Sequence, residues 1–183
     1  MVKKITQKQL KKILHYNPKT GVFTWLERTP NMFVDEGVYH TKFQQCNWWN
    51  SRYAGKQAGH LNKGYIRIKI KENYYAHILA YIYMTGKQPN RDIDHKNRKP
   101  LDNRWINLRL ATESQNIANS KISTTNTSGF KGVSWHKRIK KWQARIGFNK
   151  KRIHLGFFNT AKEAYKAYCV AAKKYFGEFA RFA

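Results

Sequence analysis

Asp92-Ile-Asp-His-Lys-Asn-Arg-Lys-Pro-Leu-Asp-Asn-Arg-Trp-Ile-Asn-Leu-Arg-Leu-Ala-Thr-Glu-Ser-Gln-Asn-Ile-Ala-Asn119 is the stretch on which the reading of this chain turns. It opens as a short strand ending in Asp94 and His95, passes through a polar loop, resumes as a short apolar run from Leu108 to Ala111, and then starts a helix. Thr112 and Gln115 have the capping-box spacing, in which each side chain satisfies an orphan backbone amide of the other. Asn116 then falls in the first turns of that helix. A strand, a returning strand and a helix can bring Asp94, His95, Asn107 and Asn116 to one point, which makes them a candidate metal site.

The same residues resemble the HNH nucleases of the ββα-metal fold, and in particular the phage and intron-encoded homing endonucleases. The matching positions are Asp94-His95, Asn103-Arg104, Asn107-Leu108-Arg109, Ala111-Thr112 and Asn116. The resemblance implies that Asp94 and Asn116 hold one divalent ion by oxygen and that His95 is the general base. It also implies that Asn107 holds either the His95 imidazole or the loop. Many other members of the family carry a second histidine where Asn116 stands, and the departure matches the homing-endonuclease branch.

These residue types suit phosphodiester hydrolysis. The anionic oxygens of the diester repel hydroxide, so a nucleophile must be generated near neutral pH and the growing negative charge must be offset. A histidine with an ordinary pKa of about 6.5 is largely neutral and basic at pH 7. A hard cation meets the second need. One carboxylate plus one amide oxygen, without a thiolate, favours Mg2+ or Mn2+ over zinc.

Working outward, the composition fits a nucleic-acid partner. The 183 residues carry 36 Lys and Arg against 10 Asp and Glu, a net charge of +26, while 41% are hydrophobic and 15% aromatic. That is enough apolar material for real cores and far too much cationic surface to leave a polyanion indifferent. Both ends share the charge, since residues 129–183 contain only two acids, Glu163 and Glu178. Double-stranded DNA is the expected partner, with affinity falling steeply in salt. No stretch approaches the roughly 20 apolar residues of a membrane span, and Met1-Val2-Lys3-Lys4 lacks a leader's apolar core, so the expected location is the host cytoplasm. Cys46 and Cys169 are far apart and read as free thiols.

Upstream, Thr6 and Gln9 cap a helix carrying Leu10, Ile13 and Leu14, with Asn17-Pro18 and Gly21 as its stop. Val22 to Leu26 reads as a strand. Thr29 to Tyr53 has no clear period, and its aromatics read as anchors of a long loop. From Gly64 the alternation is clean: Ile66, Ile68 and Ile70 face one way and Tyr65, Arg67, Lys69 and Lys71 the other, which makes Arg67 and Lys69 candidate DNA contacts. Residues 77–84 read as a helix, with His77 in a structural or phosphate-contacting role.

Downstream, 119–128 is almost all Ser, Thr, Asn and Lys and reads as a linker. Strands are expected over 131–136, 142–147 and 152–156, with Val133, Trp135, Ala144, Ile146, Ile153 and Leu155 forming a core face. A helix starts at Thr160 and Glu163, another capping box, and ends before Gly177. This half resembles an APETALA2-type DNA-binding domain through Gly132-Val133, Lys141 to Ile146, Arg152 to Phe158, Thr160 to Ala164 and the Ala171-Ala172 pair. The resemblance implies a three-stranded sheet read into the major groove by outward residues. Here these are Lys131, Ser134, His136, Arg145, Arg152 and His154, with Arg145 and Arg152 suited to guanine, and Gln143, on or near the same face by alternation, is a further candidate DNA contact. Ser134 and His136 stand where the plant domains have arginines.

The expected whole is an α+β chain with three parts. An N-terminal sheet and helix portion with an HNH ββα-metal domain fills 1–118, with its motif at 92–119. A linker spans 119–128. A three-stranded sheet with one helix fills 129–183. The expected activity is metal-dependent cleavage of DNA to a 5′-phosphate and a 3′-hydroxyl, as a phage-type homing endonuclease acting as a monomer and cutting one strand, with a transient dimer able to cut both. The alternatives are a non-catalytic DNA-binding factor with a decayed nuclease domain, and a packaging or restriction nuclease.

Overall fold

The computed structural model describes residues 4–37 and 41–182. Met1, Val2 and Lys3, on which part of the leader argument rests, lie outside them. The chain folds as two compact units, Met1–Arg109 and Leu110–Ala183. The second unit begins inside the motif stretch and includes the segment expected as a linker.

In the first unit, helix α1 (Gln7–Ile13) is capped as its spacing predicts: Thr6 Oγ1 accepts from Gln9 N at 3.2 Å and Gln9 Oε1 accepts from Thr6 N at 3.0 Å. It stops at Ile13, earlier than the expected Asn17-Pro18. Leu14–Asn17 is strand β1, which pairs antiparallel with β2 (Val22–Trp25), so that Leu14 lies opposite Trp25 and Tyr16 opposite Phe23. Leu14 sits at a position that serves the helical stripe and the strand alternation alike; Tyr16 continues only the alternation, and it is buried. The turn between the strands is tied by Asn17 Oδ1, which accepts from Lys19 N and Thr20 N.

The stretch with no visible period holds a 3-10 turn at Pro30–Met32 and helix α2 (Lys42–Tyr53). Its one legible signal is Thr41 with Gln44, a further capping box. Its aromatics divide. Trp49 packs edge-on to Trp25, with the Arg28 guanidinium 3.7 Å above its ring, whereas Phe43 and Trp48 are exposed.

Strands β3 (His60–Asn62), β4 (Tyr65–Lys69) and β5 (Asn73–Tyr75) form an antiparallel sheet with β4 in the middle. Helix α3 (Ala76–Thr85) follows at once and ends on Gly86, whose left-handed backbone lets its N–H reach Ile82 O at 2.9 Å. Leu10, Leu14, Tyr16, Phe23, Ile68, Leu79 and Ile82 are the fully buried centre of this unit. Each contributes about 2 kcal/mol of apolar burial. Strands β6 (Asp92–His95) and β7 (Leu108–Ala111) pair, joined by the polar loop and a 3-10 turn at Trp105–Asn107.

In the second unit, helix α4 (Glu113–Asn119) has the Thr112–Gln115 capping box and buries Ala118 with Ile146, Tyr168, Ala172 and Phe176. The Lys131 ammonium donates to the carbonyls of Ile117, Ala118 and Ser120 at 2.7–2.9 Å, satisfying the end of that helix. Strands β8 (Val133–His136), β9 (Lys141–Phe148) and β10 (Lys151–Phe158) form an antiparallel sheet with β9 central, and helix α5 (Ala161–Phe176) packs on it. Buried Ala164, Ala171 and Ala172 allow the close approach expected of them. Gly132 permits it too: a Cβ there would lie 2.2 Å from the Tyr168 ring. Trp135 corrects the expected core face, for it is 46% exposed on the edge strand, where its ring contacts Trp142.

Candidate active site

Asp94 and His95 end strand β6, and both are 6% exposed. The Asp94 carboxylate accepts from Arg109 Nε on β7 at 2.9 Å, a buried ion pair that balances its charge. His95 Nε2 lies 3.3 Å from Asn103 Oδ1. An amide oxygen facing it favours the tautomer with the proton on Nε2 and the lone pair on Nδ1. Burial pushes the imidazole below its ordinary range; the Asn103 hydrogen bond and the carboxylates of Asp94 and Asp102 pull it partly back.

The loop that presents these groups is braced internally. Asn107, 5% exposed, accepts from Asn97 N at 2.9 Å and donates through Nδ2 to Asp102 O at 2.7 Å. Of the two roles left open for it, these bonds serve the loop. Asn103 makes the side-chain contact with the imidazole; its place in the motif was legible, its role was not. Asp102 is bridged to Arg104 at 2.6 Å and bonded to Asn97 Nδ2, and the Arg104 hydrogen bonds hold its carboxyl far below the usual range.

The N-terminal hairpin braces the same loop. Tyr16 OH donates to Asn103 O at 2.7 Å, Trp105 N donates to Pro18 O at 3.0 Å, and a Cβ on Gly21 would meet Arg104 N and Asn103 C at 2.4 Å. Nothing in the spacing of residues 16–21 announces this.

His77, at the start of α3, stands edge-on to His95 with ring centres 5.2 Å apart and stacks on Tyr75 at 5.5 Å. Tyr65 lies 5.6 Å from His77 and 6.3 Å from His95. Burial, with a smaller effect of His95, pushes His77 down to about 4. The imidazole is therefore neutral near pH 7. As pH falls from 6.5 towards 4 the unfolded chain takes up a proton that the folded chain refuses, so stability is full above 6.5 and lost through that window. The loss should reach about 3 kcal/mol, with His95 adding in the same direction. Urea unfolding at about pH 7 and about pH 4.5 should show the drop, and His77→Phe should remove most of it.

Asn116 lies on α4. Among the described residues no three His, Cys, Asp or Glu side chains cluster to hold a metal. Of the two residues expected to hold an ion, Asp94 is the one carboxylate, and it is paired with Arg109.

The register of the second sheet puts Ser134, His136, Gln143, Arg145, Arg152 and His154 on one face: Ser134 is opposite Gln143, His154 opposite Arg145, Arg152 opposite Gly147 and His136 opposite Lys141. Ser134, Arg145, Arg152 and His154 are exposed. Gln143 is 6% exposed and sits 2.9 Å from His154 Nδ1. A β-bulge after His154 turns Phe157 onto this face, where its ring meets His136 and His154, a contact that simple alternation hides. Lys131 is tied to the end of α4. Across β4, Arg67 and Lys69 share a face with Tyr65; Lys69 is exposed and Arg67 half-buried.

Comparison with known proteins finds two family matches along the chain. Residues 74–118 match the family model of the HNH endonucleases and residues 128–178 match that of the AP2 domain, so the chain joins a nuclease-type module to a DNA-binding-type module. Among individual proteins, it is 43% identical over 54 residues to Protein 3.8 of Escherichia phage T7, a match covering 30% of this chain and 45% of that one. It is 44% identical over 52 residues to the ethylene-responsive transcription factor WRI1 of Arabidopsis thaliana, covering 27% of this chain and 12% of that protein. The chain thus spans under half the length of either relative. Among the described residues no helix is long and apolar enough to cross a membrane.

Proposed function

We propose that this protein is a metal-dependent DNA endonuclease of the phage homing type, which nicks one strand as a monomer under the guidance of its AP2-like sheet. The observation that carries the reading is His95, a buried neutral imidazole at the end of β6, fixed through Nε2 by Asn103 and adjacent to Asp94.

In this reading His95 Nδ1 takes a proton from a water that attacks phosphorus in line. Asn103 keeps the ring in one tautomer, and Asn107 keeps the loop closed. Asp94 and Asn116 are the residues that would hold one Mg2+ or Mn2+ ion. When bound, such an ion offsets the charge that builds on the phosphate and the departing 3′ oxygen. The products are a 5′-phosphate and a 3′-hydroxyl. Arg67, on the same sheet face as the tyrosine beside His95, suits a phosphate flanking the cut, with Lys69 beyond it.

Arg145 and Arg152 suit guanine edges, with Ser134, His136 and His154 beside them; Gln143 acts by orienting His154, and Lys131 by holding the end of α4. The host cytoplasm is where both target and ion would be met. A second reading, a DNA-binding protein without activity, is favoured by one observation, the Arg109 guanidinium already paired with Asp94.

Incubation of supercoiled plasmid separates the two. Nicked circles should form with Mg2+ and be absent with a chelator, and Asn116→Ala should raise the Mg2+ needed for half-maximal rate about tenfold. Plasmid that stays supercoiled across a wide range of Mg2+ and Mn2+, while still being bound, would leave only the binder. Mapping cuts on host and phage genomes separates gene mobility from packaging or restriction.

A further inference from the structure

Five described non-glycine residues have left-handed backbone: Lys63, Arg98, Lys140, Asn149 and Lys150. Such positions are normally taken by glycine, or by asparagine, aspartate or histidine among the rest. Here four of the five are cations, in a chain where Lys and Arg fill 36 of 183 positions. Composition alone does not account for that bias. Strained backbone that holds a particular side chain points to a use for the side chain.

Two of the four flank one strand. Lys140 closes the turn into β9, with φ 52° and its N–H on His136 O at 2.9 Å; Lys150 closes the turn out of it, with φ 62° beside Asn149 at 49°. Asn149 suits its place. At the second position of a two-residue hairpin turn of this hand glycine is the usual occupant, and lysine stands there instead. Both lysines are exposed, and among the described residues neither makes an ion pair. The strand between them is eight residues, about 26 Å at the usual rise, and carries Arg145 at mid-length. That exceeds the width of a major groove, about 12 Å.

We infer that Lys140 and Lys150 are phosphate clamps: each sits at a strained turn at one end of β9, and together they fasten to the DNA backbone on both rims of the groove that β9 enters. This rests on the reading of the second unit as a duplex-DNA binder. The clamps carry no sequence preference; they set how deeply and in which register the base-reading side chains sit.

The distinguishing test uses Lys→Gly at each position, singly and together, in the full chain. Ordinary damage lowers stability and binding together, whereas glycine relieves these turns. Each variant should keep or raise the parent's thermal midpoint and still bind a mixed-sequence duplex several-fold more weakly. The slope of log affinity against log salt should shrink by about 0.9 for each lysine removed. Lys→Arg at the same positions should keep the parent slope. A double glycine variant with the parent's affinity and slope overturns the inference, as does weaker binding at unchanged slope. A parent chain that binds no duplex overturns the reading beneath it as well, and that outcome is seen before any variant is made.

Discussion

His95→Ala is expected to lower the single-turnover nicking rate about a thousandfold, within the range that a well-placed general base contributes. Duplex affinity should stay near the parent's, while the thermal midpoint should fall, because the lost buried ring leaves a cavity beside His77 and Tyr65. The size follows from the ring's preparation. Burial favours its neutral form at pH 7, Asn103 fixes the proton on Nε2, and His77 and Tyr65 limit its rotation. An alanine leaves the proposed attacking water without an acceptor, while the sheet proposed to bind DNA, in the other unit, keeps its own sequence. Nicking by the alanine variant at the parent's rate would remove His95 from the mechanism. Loss of DNA binding along with activity would mean that His95 is part of the interface.

The second large effect is expected from a residue that bears no reactive group. Gly21→Ala should destabilise the first unit by about 3 kcal/mol, from left-handed strain and overpacking together. Gly21 has φ 77°, and the added Cβ would lie 2.4 Å from Arg104 N and Asn103 C and 2.9 Å from Asn103 O. Those are backbone atoms, so no side chain can swing aside. The loop must move, and Asn103 moves with it. Nicking per folded molecule should therefore fall at least tenfold as the imidazole loses its fixed tautomer. Circular dichroism melts read the first effect, and single-turnover rates well below the melting temperature read the second. A variant that melts early yet nicks at the parent's rate would show that the hairpin supports the fold without setting the position of Asn103.

Much of this was legible in the sequence, for identifiable reasons. Capping boxes at Thr6, Thr112 and Thr160 marked helix starts that the structure keeps, because the box is a local contract between a side chain and a backbone amide three residues away. Strand β4 and the second sheet followed from alternation. The misses share a cause: two periods or two surroundings competed for one residue. Leu14 fitted both a helical stripe and a strand, and the pairing with Trp25 decided it. Trp135 points inward by parity yet lies at a sheet edge that leaves it 46% exposed. Helix α2 carried only its cap, since its aromatics do not form one stripe. At the candidate site, Asp94 and His95 stood out by their chemistry. The role of Asn103, the His77 stack and the Arg109 pairing depend on contacts between strands and loops that no spacing rule reaches.

The brace between the N-terminal hairpin and the loop bears on how such a cassette can be moved between proteins. Tyr16 reaches Asn103 across 87 positions of chain, and Pro18 and Gly21 touch the residues beside it, yet all three precede residues 74–118, where the family likeness lies. Grafting that segment alone onto a new host would strip away its scaffolding and leave the histidine loose in its socket. A transplant that begins upstream of α1 would carry its own support.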